Sequence, residues 1–201
     1  VVEVVTGMKW EDYLKNEVLD PLGMSETSFK PSDAQLRTQV EMYDCVQGAP
    51  AKHRIQNDWQ QRPYNDAHIF ASAGAGLWTT ARDQYKFYKM LMNLGMGDNG
   101  VRILKEETVR RLLATPTRPP MMDDPNYSLG LWVGSDGWFG HGGAWGTNCS
   151  VNWRKRQLQL GAVQRCGETN PWEVAKTEAA DRFFRQTVSN GGVNDYTGRV
   201  K

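Results

Sequence analysis

Apolar residues recur at helical spacing in three stretches. Residues 9–19 place Trp10, Tyr13, Leu14 and Val18 on one face. Pro21-Leu22-Gly23-Met24 follows and predicts the stop. Residues 81–94 repeat the spacing with Tyr85, Tyr88, Leu91 and Met92 as core contacts. Thr79 or Thr80 stands where an N-cap belongs, with Asp83 as the matching acid. Val101-Arg102-Ile103-Leu104 leads into a third helix, 105–114, whose acids Glu106 and Glu107 precede Arg110 and Arg111, as the helix dipole favours.

Segments 127–133, 148–153 and 157–163 read as strands, so 127–165 is expected to form an antiparallel meander. Asn170-Pro171 opens a last helix over 172–188, with Val174, Ala175, Ala179, Phe183 and Val188 available to pack on the sheet. Residues 189–201 form a polar tail, and the apolar 1–6 reads as the end of an element closed by Gly7. Residues 30–70 show no period and are broken by Pro31, Gly48, Pro50 and Pro63. A long loop is expected there, either a site wall or lid or a plain surface excursion. Helices and a long loop, then an antiparallel sheet meander, then a closing C-terminal helix describe an α+β fold.

With 201 residues and 39% hydrophobic content, including eight Trp and eight Met, the chain can bury a sizeable core. A net charge of +1 gives no reason to expect a nucleic acid or an acidic membrane surface as partner. No apolar run is long enough to span a bilayer. The first residue is Val1, so the lack of a leader sequence says nothing of compartment. Cys45, Cys149 and Cys166 are widely spaced without a Cys-x-x-Cys, which speaks against a zinc ribbon or a thioredoxin-type site. Cys149 and Cys166 are either bridged between neighbouring strands or buried as free thiols. His53 and His68 fall in the irregular stretch without a ligand pattern around them, so neither a metal nor a cofactor is expected.

Candidate chemistry concentrates in Gly140-His141-Gly142-Gly143-Ala144-Trp145-Gly146, where four glycines surround one histidine between strand-like segments. Glycine inside a strand pattern marks a bulge or a close backbone approach. The stretch is either a hairpin whose glycines only make the turn, or a surface on which a ligand lies against main-chain N–H groups. A second glycine-rich run, Ala71-Ser72-Ala73-Gly74-Ala75-Gly76-Leu77, lacks the spacing and the preceding strand of a dinucleotide site. Tyr43, Trp59, Tyr64 and Trp145 are candidates to line a cavity, Trp145 most directly because it adjoins the box.

Four stretches occur together in a telling order. Thr6-Gly7 with Pro21-Leu22-Gly23-Met24 and Thr27 resembles the TG…PLGM…T signature of serine β-lactamase-related proteins of the class C, DD-peptidase and esterase type. Ala73 to Asp83 is similar to the family's AGGL-x-ST-x-x-D segment, and Gly100-Val101-Arg102-Ile103-Leu104 to its G-x-R-I-L. Gly140-His141-Gly142-Gly143 resembles the third catalytic box, where Lys-Thr-Gly, His-Thr-Gly or His-Gly-Gly occurs. The ordered set is specific where each match alone is not.

The resemblance implies a serine hydrolase that works through an acyl-enzyme on β-lactams, D-Ala peptides or small esters. It implies that 1–188 is the C-terminal part of such a domain, helical over about 1–115 and sheet plus last helix over about 127–188, incomplete as a β-lactamase/transpeptidase-like fold. The nucleophile of Ser-x-x-Lys and its helper in Tyr-x-Asn are absent from the sequence, as is Gly-x-Ser-x-Gly. They are expected upstream, so the chain alone is expected to be inactive and its partner to be the missing N-terminal part. In the family's terms His141 orients the substrate carboxylate or tunes proton movement, the Ala144 N–H donates to the oxyanion, and Gly142, Gly143 and Trp145 bind substrate. A periplasmic or secreted location follows from the resemblance only. Without early strands, an open sheet edge invites self-association. The competing reading is a non-catalytic binding or structural module of the same fold.

Overall fold

The computed structural model describes residues 1–40, 43–46, 49–52, 71–74, 76–114, 126–143, 146–162 and 164, with the backbone alone described at 43–46 and 49–52. The expected closing helix 172–188, the polar tail and the Pro-rich 116–125 lie outside these residues. The architecture is mixed, with helices against an antiparallel sheet.

Helix α1 spans Val2–Thr6 and ends at Gly7, whose φ of 69° closes the turn. Helix α2, Trp10–Leu14, runs directly into a π-helical turn, Lys15–Leu19, and then into α3, Asp20–Leu22. Pro21 therefore does not stop this helix, contrary to the expectation; Gly23 does. In the wide turn the Asp20 N–H bonds the Lys15 carbonyl rather than one residue nearer, which fits a residue without an N–H into the following turn. Gly23 then takes the left-handed conformation, and its N–H and that of Met24 bond Asp20 and Leu19 at 2.9 and 2.8 Å. That pairing is a Schellman stop, and its accompanying apolar contact is Leu19 with Met24, both buried. Leu19 and Leu22 are the most buried residues of the segment, and the expected Leu14 and Val18 pack half-buried against the same core.

The stretch expected as one loop contains structure. Helix α4, Asp33–Arg37, starts on a capping box in which Ser32 and Gln35 serve each other's backbone N–H. Strands β1, Tyr43–Val46, and β2, Ala49–Lys52, form a hairpin with Cys45 opposite Pro50. Proline in a strand is a poor sequence signal, which is why the hairpin escapes the pattern. His53, Trp59, Tyr64 and His68 lie outside the described residues.

Helix α5, Ala81–Met92, begins where the Thr80 hydroxyl accepts the Asp83 N–H. Its most buried residue is Met90, fully out of solvent, flanked by Leu91 and Met92. Tyr85, expected in the core, is 40% exposed; its hydroxyl meets Lys89 instead. Helix α6 is Glu106–Ala114, with Val109 fully buried and Arg110 paired to Glu106 at 2.6 Å.

Strands β3, Trp132–Val133, β4, Trp138–Gly142, β5, Asn148–Asn152, and β6, Gln157–Gly161, form the expected meander in the order β3-β4-β5-β6. The strand expected over 127–133 is reduced to Trp132–Val133, with Tyr127 bridging back to Trp132 across a turn. One row of side chains, Val133, Phe139, Val151 and Leu158, crosses all four strands and joins Met90, Leu91 and Val109 in the core. Two residues farther along the same face lie His141, Cys149 and Leu160.

The family-like segments meet in space. Ser28 and Trp78 exchange backbone hydrogen bonds of 3.0 and 2.9 Å. Beside them the Asp83 carboxylate, 1% exposed, accepts the Glu26 N–H and the Thr27 hydroxyl at 2.9 Å each, and pairs with Lys86 on its other oxygen at 2.9 Å. Asp83 thus buries its charge by satisfying both oxygens, and ties the turn after α3 to the start of α5.

Candidate functional site

Strand β4 carries the box, and its glycines have separate local causes. At Gly140 an added Cβ would lie 2.0 Å from the Cys149 carbonyl oxygen, so the β4–β5 backbones pass too close for any side chain. Gly142 has no such neighbour: the nearest atom, the Thr147 carbonyl oxygen, lies at 3.8 Å. Gly143 closes the turn to β5, donating its N–H to the Thr147 carbonyl at 2.7 Å. Its own space is taken by the Thr147 hydroxyl, 2.5 Å from where a Cβ would sit.

His141 is exposed near the end of the strand. Its Nε2 lies 3.1 Å from the Tyr127 hydroxyl, and its Nδ1 meets the Gly142 carbonyl. The two rings cross edge to face at 5.7 Å, and Tyr127 crosses Trp132 in the same manner at 4.7 Å. Tyr127 is the site neighbour that motif reading passes over; the one cue is a tyrosine fourteen residues before the histidine, opening the segment that bridges to β3.

The edge of β4 changes character along its length. β3 pairs with it only at Phe139 and Gly140, through Val133 and Trp132. His141 and Gly142 pair, among the described residues, with β5 alone, opposite Cys149 and Asn148. Behind them Cys149 is a buried free thiol. Burial pushes it up to about 12, so it is a thiol and not a nucleophilic thiolate at neutral pH. Tyr88 on α5 is likewise raised to about 12, by burial first and by Cys149 beside it second.

Of the residues singled out in the sequence, the structure brings His141, Gly142 and Gly143 together at the end of β4. Ala144 and Trp145 lie outside the described residues, as does Cys166. Asp83 belongs to the latch between α3 and α5. A separate cavity of about 500 Å³ opens at the start of β4, lined by Leu94, Leu113, Val133, Gly137 and Trp153 among others, and no residue of the box lines it. Among the described residues no group of three or more His, Cys, Asp or Glu is placed to hold a metal ion. Among them, too, no helix is long and apolar enough to cross a membrane.

Known proteins share this architecture. Unliganded simvastatin synthase (LovD) from Aspergillus terreus superposes with a TM-score of 0.67 over 92% of this chain and 51% of its own, at 15% identity. EstCE1, a hydrolase with promiscuous acyltransferase activity, superposes with a TM-score of 0.66 over 89% of this chain and 52% of its own, at 16% identity. At such identity the likeness is one of fold. In sequence, Protein Rv1367c of Mycobacterium tuberculosis is 33% identical over 138 residues, 69% of this chain and 31% of that protein. Penicillin-binding protein 4 of Amycolatopsis lactamdurans is 30% identical over 106 residues, 52% of this chain and 26% of its own. The chain thus spans about half the length of the solved structures and less than a third of the two sequence relatives. The family model described as Beta-lactamase matches residues 1–163, and the chain belongs to that family of serine hydrolases.

Proposed function

We propose that this chain supplies one wall of an acyl-transfer site, whose nucleophile is carried by a Ser-x-x-Lys outside residues 1–201. The observation that supports it most is the edge of β4 at His141 and Gly142, which β3 leaves uncovered where the box lies. An extended substrate laid along that edge pairs with main-chain groups, and Gly142 presents no side chain against it. Gly143 sets the turn that leads to Ala144, whose N–H serves as an oxyanion donor in this reading. His141 orients the substrate, and Trp145 packs against it. The substrates are β-lactams, D-Ala peptides or small esters, which share a carbonyl that a serine hydroxyl can attack to form an acyl-enzyme, expelling the ring amine, D-Ala or alcohol. Cys149, held as a buried thiol, does not compete as the nucleophile.

The test uses a longer gene product that contains Ser-x-x-Lys, assayed with nitrocefin, a D-Ala-D-Ala peptide and p-nitrophenyl esters. His141→Gln is expected to lower kcat/KM by about tenfold to a hundredfold, the scale of one lost orienting or charge-stabilising contact. Unchanged kcat/KM on every substrate turned over would overturn the assignment of His141. A second reading, a non-catalytic module, is favoured by one fact: Ser-x-x-Lys and Tyr-x-Asn are both absent from this sequence. Finding neither box in the coding sequence upstream of Val1 would establish that reading instead.

A further inference from the structure

The imidazole of His141 has both nitrogens engaged within the chain. Its Nδ1 meets the Gly142 carbonyl, which can only accept, so the proton of that contact resides on Nδ1. In the neutral ring Nε2 then carries a lone pair, and the group 3.1 Å from it is the Tyr127 hydroxyl, which donates. Tyr127 is itself held in place. Its ring crosses that of Trp132 at 4.7 Å, and the two residues form a backbone bridge. The next residue, Ser128, is 1% exposed. The Ser128 N–H bonds the Leu131 carbonyl at 2.7 Å, and its hydroxyl donates to the Leu112 carbonyl of α6. A chain of contacts therefore runs from a core helix through Ser128 and Tyr127 to the imidazole.

We propose that Tyr127 is a positioning residue for His141, fixing the plane of a ring whose Nδ1–H tautomer the Gly142 carbonyl selects, with the Nε2 lone pair committed to the phenol. Which nitrogen of a histidine carries the proton is decided by the bond the other one makes. Here the Gly142 carbonyl, which only accepts, selects the Nδ1–H form, and the phenol, which can donate or accept, takes the complementary role. The consequence for the site rests on the acyl-transfer reading given above. A ring whose only lone pair is taken by Tyr127 is an oriented wall with a fixed plane, not a general base for the reacting hydroxyl. Proton transfer then falls to other groups, and His141 contributes by placing substrate along the β4 edge.

The experiment needs no substrate. The 201-residue chain with 15N-labelled histidine is studied by long-range 1H–15N correlation at a pH where imidazole is neutral. With three histidines in the chain, His141→Gln identifies the signal by its loss. The expected result is a protonated Nδ1 and a bare Nε2. Tyr127→Phe keeps the ring against Trp132 and removes only the hydroxyl. In that variant the Nδ1–H form is expected to persist, held by the Gly142 carbonyl, while the Nε2 resonance shifts as the donated hydrogen bond is lost. A native ring in the Nε2–H form, or an Nε2 resonance unmoved in the variant, overturns the proposal. Should Tyr127→Phe not fold, 3-fluorotyrosine incorporation leaves every ring in place and makes the phenol a stronger donor. The Nε2 resonance must then shift, and a fixed resonance is the overturning result. Because turnover is not read, the tautomer can be as stated while the acyl-transfer reading fails, and the reverse.

Discussion

Gly140 and Gly142 lie two residues apart on β4 and should respond to a methyl group in opposite ways. At Gly140 the Cβ meets the Cys149 carbonyl oxygen at 2.0 Å and the Ser150 Cα at 2.9 Å, both backbone atoms that cannot swing aside. Gly140→Ala must part β4 from β5, and about 3 kcal/mol of stability is expected to be lost. Gly142→Ala meets nothing closer than 3.8 Å, and a change within about 0.5 kcal/mol is expected. Urea unfolding of the two variants checks both; equal losses would contradict the account of the box. The buried carboxylate of Asp83 gives a second residue-scale prediction. In Asp83→Asn the amide nitrogen must face either the Lys86 ammonium or the Glu26 and Thr27 donors, so about 2 kcal/mol of loss is expected by thermal unfolding. A neutral result would mean that the latch is not under load. The sequence pattern names Asp83 as a helix-cap acid and names the glycines as a group. It cannot separate one glycine from another, because their difference lies in which backbone crosses them, a long-range fact. Tyr127 escapes for the same reason: its partner is fourteen residues away, across a bridge.

At the scale of elements, the helices with strong local punctuation were legible and the ones governed by backbone detail were not. Thr80, Asp83 and the 3.6-residue spacing suffice to place α5, and the acid-to-base order suffices for α6. The π-helical turn at Lys15–Leu19 has no sequence signature comparable to a cap, so the deep burial of Leu19 beside Leu14 and Val18 is not legible from 3.6-residue spacing. The capping box of α4 was present as Ser32-x-x-Gln35, but without an apolar run behind it the signal went unread. Contact between α5 and β5 carries a pH dependence. Tyr88 and Cys149 each titrate near about 12 in the folded chain, from ordinary values of 10.0 and 9.0. Both groups are neutral when protonated, and folding raises both pKa values. Their contribution is therefore whole below about pH 9 and is lost as pH rises toward 12. Stability measured by denaturant is expected to be flat in this respect up to pH 9 and to fall above it, less steeply in Cys149→Ala. A native chain whose Cys149 reacts with iodoacetamide near neutral pH as fast as the unfolded chain would contradict the burial that causes the shift.

For the whole molecule, the α+β architecture and the four-strand meander follow from periodicity and punctuation, because antiparallel neighbours in sequence are neighbours in space. Family membership follows from ordered segments whose physical meaning only the fold reveals. PLGM closes a helix, Thr27 and Asp83 form a latch, and the His-Gly-Gly box ends on an edge that β3 leaves uncovered. Among the described residues most of the motif positions therefore hold the scaffold, and the candidate chemistry lies at the end of one strand. The central claim is that this strand is one wall of an acyl-transfer site completed by a serine outside residues 1–201. Fluorophosphonate labelling followed by peptide mass spectrometry tests it most directly, on the 201-residue chain and on the gene product read upstream of Val1. The account predicts an adduct on the serine of an upstream Ser-x-x-Lys and none within residues 1–201. An adduct on any serine of this chain, or a longer product that stays unlabelled, would contradict it.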